Sequence, residues 1–218
     1  MHQNSKPGLI KALFLDIGGV LLTNGWGTDF RERAIEKFKL NKKETEERHH
    51  LTFDTYEEGK LTLDEYLGRV VFNESRNFSI EDFKKFMFEQ SAELPGALEY
   101  FKSLKKQYNL KVIAVSNEGR EINEYRIKKF KLSDLFDAYI SSCYIHLRKP
   151  DRDVWHIACD ISQISPEHAL YIDDRLMFVE VAQSYGIQAM HYEGLDSAKA
   201  YISTLSFHTS ENLKSINQ

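Results

Sequence analysis

Four short polar clusters close apolar runs in this 218-residue chain, and their residue types suit proton, metal and anion chemistry. Asp16 lies within LIKALFLDIGGVLLT (Leu9 to Thr23), among Phe14, Leu15, Ile17 and Val20. Burying an unpaired carboxylate there would cost on the order of several kcal/mol, so Asp16 needs a cation or a role. Gly18 and Gly19 let the backbone turn sharply behind it and approach a ligand closely. Asp173 and Asp174 follow the apolar run Ala169 to Ile172, and adjacent carboxylates repel unless they share a cation, which points to a metal. Ser116-Asn117 follows Leu110 to Val115, and taken alone is an ordinary turn and helix entry. Arg148-Lys149-Pro150-Asp151 follows Ala138 to Ile145, and alone reads as a solvated turn.

The runs that carry these clusters read as buried parallel strands, with a further short strand near Ile187 to Tyr192. Helical patterns separate them. Pro95-Gly96 opens a helix bearing Leu98, Phe101, Leu104 and Tyr108, which Asn109 is suited to end. Glu121 to Phe130 is a second helix. Asp151 or Arg152 opens a third, with Val154, Ile157, Ala158 and Ile161 on one face. Phe178, Val181, Ala182 and Tyr185 mark a fourth, closed by Gly186, and Asp196 to about Leu205 a fifth.

No strand is expected between Asn24 and about Glu93. Thr28 is placed to cap a helix carrying Phe30, Ala34, Ile35 and Phe38. A weaker helical segment runs from Lys43 to Tyr56. Thr62 and Glu65 form a capping box before Leu63, Tyr66, Leu67, Val70 and Val71, and Ser79 precedes Ile80, Phe83, Phe86 and Met87. An insertion of this length is a helical cap rather than a loop. Its adjacent His49 and His50 are expected on the surface.

Strand-helix alternation predicts an α/β fold, a three-layer Rossmann-like parallel sheet with the helical cap inserted after the first strand. The expected division is 8–23 and 94–206 for the core, 24–93 for the cap and 207–218 for a polar tail. Sites in such sheets lie at the carboxyl ends of the strands. Asp16, Ser116, Lys149 and Asp174 all fall at or just after such ends.

The four clusters, in this order and in these contexts, resemble the motifs of the haloacid dehalogenase superfamily, whose members are mostly aspartate-nucleophile phosphatases. The resemblance covers Lys11 to about Tyr192. It implies Asp16 as the nucleophile that forms an acyl phosphate. It implies Mg²⁺ held by Asp16, the Gly18 carbonyl and Asp174, with Asp173 assisting directly or through water. Ser116 and the Asn117 backbone would donate to a phosphate oxygen, and Lys149 would neutralise the same group and keep Asp16 ionised.

Gly18 departs from the pattern, because most family phosphatases carry there a second aspartate that protonates the leaving oxygen and later activates water. Some family members with glycine at this position resemble working phosphatases, including enzymes acting on sugar 1-phosphates. His146, where relatives often have glycine, is a candidate for the missing acid or base, and Arg148 is a further candidate at the site. Two alternatives stand beside the phosphatase: a catalytically weak binding or regulatory protein, which Gly18 favours, and a 2-haloacid dehalogenase. The latter enzymes need no metal and lack the paired aspartates.

Composition narrows the partners. A net charge of -4 without a basic stripe argues against a nucleic-acid surface and for a small phosphorylated solute. The start MHQNSKPG is polar, and Lys11 and Asp16 interrupt the apolar run after it, so neither a signal peptide nor a membrane span is expected and the protein is placed in the cytosol. Cys143 and Cys159 form no CxxC pair and are read as core thiols. The oligomeric state is left open.

Overall fold

The computed structural model describes residues 9–207. Five strands, β1 (Ala12–Leu15), β2 (Lys111–Ser116), β3 (Ala138–Ser141), β4 (Ala169–Asp173) and β5 (Gln188–His191), form one all-parallel sheet in the order β3-β2-β1-β4-β5. β1 is central because every one of its residues is buried and it pairs on both edges, Leu15 standing level with Ala114 on one side and Ile172 on the other.

Period-two alternation divides β1 between two layers of helices. Leu13 and Leu15 pack with α5 (Ala97–Tyr108) and α10 (Leu195–Ile202) through Phe101, Leu104 and Ile202. Ala12 and Phe14 pack on the opposite face with α8 (Asp153–Ser162) and α9 (Leu176–Ser184) through Trp155 and Phe178. α6 (Arg120–Lys129) lies between β2 and β3 in the chain. Asn109 ends α5 in the left-handed conformation expected of it. Cys143 and Cys159 are free and buried.

Between β1 and α5 the chain forms only helices: α1 (Thr28–Phe38), α2 (Lys42–Glu57), α3 (Leu63–Val70) and α4 (Ile80–Glu89). They share a cluster of their own, built on Trp26, Tyr56, Tyr66, Phe83 and Met87, into which Ile122 of α6 reaches. The capping box of Thr62 and Glu65 forms as read, and Ser79 forms another with Asp82. Where the chain enters and leaves this insertion it pairs with itself, Thr23 N–H donating to Ala92 O at 2.8 Å and Leu94 N–H to Leu21 O at 2.9 Å.

Several sequence expectations shift. Thr28 is the first helical residue rather than the cap, since Gly27 precedes it in extended conformation and the Thr28 hydroxyl accepts from Arg31. The run Ala138 to Ile145 is a strand only as far as Ser141, the last residue in register with Ser116. Beyond it the chain winds into α7 (Ser142–Ile145), because the Ser142 hydroxyl is drawn to Glu57 O at 2.7 Å. Ile161 is 55% exposed, the buried face of α8 running instead through Val154, Trp155, Ala158 and Cys159. The last helix ends at Ile202. The expected core start at residue 8 and the polar tail lie outside the described residues, except Phe207. That residue is buried and stacks on Tyr108 at 4.3 Å, so it belongs to the core. Among the described residues no helix is long and apolar enough to cross a membrane.

Candidate active site

The carboxyl ends of β1, β2 and β4 meet where the strand order reverses, the place where open α/β sheets hold ligands. Asp16 leaves the tip of β1 with 8% of its surface exposed. Its Oδ1 accepts from Ile17 N–H at 2.8 Å and lies 3.3 Å from Lys149 Nζ. Burial drives its carboxyl up to about 7, against the pull of Lys149 and with the push of Asp173 and Asp174.

Asp173 is fully buried and saturated. Its Oδ1 accepts from Arg175 N–H at 2.8 Å, and its Oδ2 accepts from Lys149 Nζ at 2.6 Å and from the Tyr171 hydroxyl. Lys149 is itself buried; burial alone would lower its pKa, but the charges of Asp16 and Asp173 outweigh it and lift the ammonium above its ordinary value. The lysine is thus a fixed cation strung between two carboxylates.

Asp174 differs from its neighbour. Its Oδ2 accepts from Asn24 Nδ2 at 3.4 Å, while its Oδ1 is buried with no partner among the described residues. Burial, then the Asp173 charge, raises its carboxyl. Oxygens of Asp16, Asp173 and Asp174 come within 4.8 Å of one another. An all-oxygen donor set with an orphaned carboxylate oxygen fits a hard divalent cation such as Mg²⁺. Gly19 makes room for it: its φ is +75°, and a Cβ there would fall 2.2 Å from Asp174 Oδ2. Because Asp173 already serves three donors, Asp16 and Asp174 are the carboxylates left with open oxygens.

Ser116 and Asn117, at the end of β2, line the same cavity, whose volume is about 260 Å³. The Asn117 side chain has a task the sequence reading missed. It clamps the backbone of Lys149 from both sides, Nδ2 donating to Lys149 O at 2.9 Å and Oδ1 accepting from Lys149 N–H at 2.8 Å. Phe178 covers the ammonium at 5.1 Å.

His146 leads away from the cavity, whereas Arg148 lines it. His146 is exposed, takes a left-handed backbone and bonds Glu58 O through Nδ1 at 2.6 Å; it does not line the cavity. Arg148 reaches Asp54 and Glu57 on α2 at 2.5 Å each, which joins the core to the insertion.

The insertion supplies much of the remaining lining, including Trp26, Arg31, His49, Phe53 and Glu57, and Glu118, Arg175 and Phe178 of the core complete it. His49, expected on the surface, is buried; His50 beside it is exposed. His49, Phe53 and Glu57 recur every four residues on one stripe of α2, a spacing that would have revealed a common face. Glu57 is pushed up to about 7 by burial, with Arg148 pulling the other way.

Gly18 also lines the cavity. A Cβ there would lie 3.0 Å from Asn24 Oδ1 and 3.8 Å from Arg126 Nη1. Arg126, fully buried on α6, meets Glu118 Oε2 at 2.5 Å through Nη1, Ser91 Oγ at 3.1 Å through Nε and Thr23 O through Nη2. Neither Arg126 nor Glu118 stood out in the sequence, because nothing in EINEYRIKKF marks one cation as buried.

Comparisons with known proteins agree with this geometry. Residues 10–186 match the family described as haloacid dehalogenase-like hydrolase. The chain is 27% identical over 163 residues to the chloroplast flavin mononucleotide hydrolase 1 of Arabidopsis thaliana, covering 75% of this chain and 65% of the relative. It is 26% identical over 134 residues to a phosphorylated carbohydrates phosphatase of Thermotoga maritima, covering 57% of this chain and 62% of the relative. The chain thus spans less than two thirds of the length of both curated relatives. In fold it is similar to a HAD family enzyme of Bacteroides thetaiotaomicron, solved with magnesium and inorganic phosphate, with a TM-score of 0.71 and 21% identity over 88% of this chain and 99% of that one.

Proposed function

Because the chain belongs to the haloacid dehalogenase-like hydrolase family, we propose that it is a Mg²⁺-dependent phosphatase acting on a small phosphorylated metabolite through an aspartyl-phosphate at Asp16. The observation that carries this reading is the convergence of a buried carboxylate and a buried lysine on one cavity, in one carboxylate cluster with Asp174, which has an orphaned oxygen and lines the adjoining cavity. An Asp16 oxygen attacks phosphorus, and the bond to the leaving oxygen breaks with its electron pair going to that oxygen. Water then attacks the phosphoryl group, which releases phosphate and restores the Asp16 carboxylate.

Lys149 stays charged throughout, anchored by Asp173 and Asn117, and faces the anionic oxygens of the phosphoryl group. The Ser116 hydroxyl and the Asn117 N–H donate to the same group. Asp16, Asp174 and the Gly18 carbonyl would hold Mg²⁺, which when bound offsets negative charge on the phosphoryl oxygens and the carboxylates. Residues 24–93 act as the cap over this centre, and residues 9–23 and 94–207 as the core. The cytosolic location expected from the sequence belongs to the same proposal.

The paired aspartates favour this reading over a metal-free dehalogenase. An intact Asp16–Lys149 pair favours it over a pure binding protein, which gains nothing from a nucleophile kept at a metal site. The test is a panel of phosphorylated metabolites assayed with and without Mg²⁺ beside Asp16→Asn. Turnover that needs both the metal and Asp16 is expected. Halide release from 2-haloacids without phosphate turnover would indicate the dehalogenase class, full phosphatase activity in excess chelator would refute the metal requirement, and binding without turnover would indicate the regulatory alternative.

A further inference from the structure

The cavity wall built by the insertion contains a hydrogen-bond donor whose tautomer is set by its neighbours. Trp26 Nε1 can only donate, and it donates to the Tyr66 hydroxyl at 3.0 Å. That hydroxyl also lies 2.8 Å from His49 Nδ1. Tyr66 is fully buried, and among the described residues these are its only hydrogen-bond partners. Were His49 Nδ1 also a donor, the Tyr66 proton would be buried with no acceptor, an arrangement that folded proteins avoid. Tyr66 therefore donates to His49 Nδ1, and the histidine proton resides on Nε2.

Nε2 has no partner among the described residues. Tyr66 does not line the cavity whereas His49 does, so the Nδ1 edge of the ring faces the insertion's core and the Nε2 edge faces the cavity. Phe53 packs on the ring at 4.5 Å and holds it there. Around it, both cations of this wall are committed. Arg31 is paired with Glu46 by two bonds of 2.9 Å and with Trp26 O at 2.8 Å, and Arg148 is paired with Asp54 and Glu57. Burial, then the Arg31 charge, pulls the His49 imidazole down to about 4; Glu46 opposes this and His50 adds to it. The ring is neutral at physiological pH.

We propose that His49 Nε2–H is the specificity-determining donor of this cavity, bonding an uncharged oxygen of the leaving group, so that the substrate is a monophosphate ester of an uncharged hydroxylated molecule. This rests on the phosphatase reading above. On the wall of Trp26, Arg31, His49 and Arg148, a second phosphate on the leaving group would find no free cation and would face Glu57; Arg175, which also lines the cavity, belongs to the core. Aromatic Trp26 and Phe53 supply the apolar surface against which a sugar or polyol carbon skeleton packs.

The test has two arms on the full chain. Long-range ¹H–¹⁵N NMR of the native protein at pH 7 should show His49 as the Nε2–H tautomer; an Nδ1–H tautomer or an imidazolium would overturn the proposal without reference to activity. The second arm measures kcat and KM with Mg²⁺ for hexose, pentose and glycerol monophosphates, the corresponding bisphosphates, and phenyl phosphate. The native enzyme should prefer monophosphates to bisphosphates. His49→Phe, which keeps the ring and removes the donor, should raise KM about tenfold on the best hydroxylated monophosphate and change it far less on phenyl phosphate, as expected for one lost hydrogen bond. His49→Gln, which restores a donor, should recover part of that loss.

Equal losses on phenyl phosphate and the sugar phosphate, or a native preference for bisphosphates, would overturn the assignment of His49 while leaving the phosphatase intact. No turnover of any phosphate would overturn both. Should His49→Phe fail to fold, the NMR measurement and the native monophosphate preference still decide.

Discussion

Replacing Asp16 with Asn should stabilise the metal-free protein while abolishing turnover. Burial raises the Asp16 carboxyl from an ordinary 3.8 to about 7. At about 1.4 kcal/mol per unit, ionised Asp16 costs the folded state up to about 4 kcal/mol in the absence of a cation. The sign follows from proton counting. Between about 4 and 7 the native state binds the proton that the unfolded chain has released, so the cost grows as pH rises through that window and is complete above it. Asn removes the charge and keeps an oxygen for Ile17 N–H, and Lys149 keeps Asp173 at 2.6 Å. Imperfect replacement reduces the benefit to roughly 1 to 3 kcal/mol, or about 3 to 10 °C in melting temperature for a chain of this size. Thermal melts in excess chelator at pH 7.5 should show the variant above the native protein, and the gap should close or reverse at pH 4.5, where the cost of ionising Asp16 has fallen to about 1 kcal/mol. With saturating Mg²⁺ the order should reverse, because the variant has lost a charged ligand. A variant that melts lower in chelator at pH 7.5, or a gap that does not shrink with acid, would refute the account of a carboxylate held in unfavourable isolation.

Asn117→Ala removes both bonds to the Lys149 backbone and should lower kcat by about 10- to 100-fold with a smaller change in KM; steady-state kinetics check it. Arg126→Met leaves Glu118 buried without its cation and should cost about 3 to 5 kcal/mol in chemical denaturation, and a loss below about 1 kcal/mol would deny the pair its importance. Gly18→Asp restores a carboxyl where Asn24 Oδ1, the mobile end of a side chain, is the nearest obstacle. It should raise kcat/KM on alkyl phosphates by about 100-fold and on aryl phosphates far less, which a series of leaving groups of graded pKa measures directly.

The parallel sheet was legible because buried strands in such sheets are continuous apolar runs, and its tips were legible because a charge closing such a run is conspicuous. β3 misled for the same reason: Ala138 to Ile145 contains no breaker, and its second half is a helix tied to distant segments, Ser142 to Glu57 O and to Glu118 N–H among them. α2 read weakly because one of its stripes, His49, Phe53 and Glu57, faces a cavity, and a face turned toward solvent and ligand carries no apolar period. Asp16, Lys149 and the aspartate pair, which the structure brings together, stood out by residue type and by their places after apolar runs. Arg126, Glu118 and the Asn117 clamp were not, since their importance lies in which backbone they touch.

Arg126 also bears on how such a chain can be rebuilt. Its guanidinium touches the entry to the helical insertion at Thr23 and the exit at Ser91, while Glu118 ties it to the loop that follows β2. Entry and exit are therefore spliced within the reach of one core side chain. A graft that exchanged residues 24–90 for another helical cassette would keep its docking point if it delivered a hydroxyl at the position of Ser91 and left the Thr23 carbonyl in place. A single arginine thus touches both ends of the interchangeable part of this molecule, and a new roof must in addition replace the partners that Asn24 gives to Asp174 and that Asp54 and Glu57 give to Arg148.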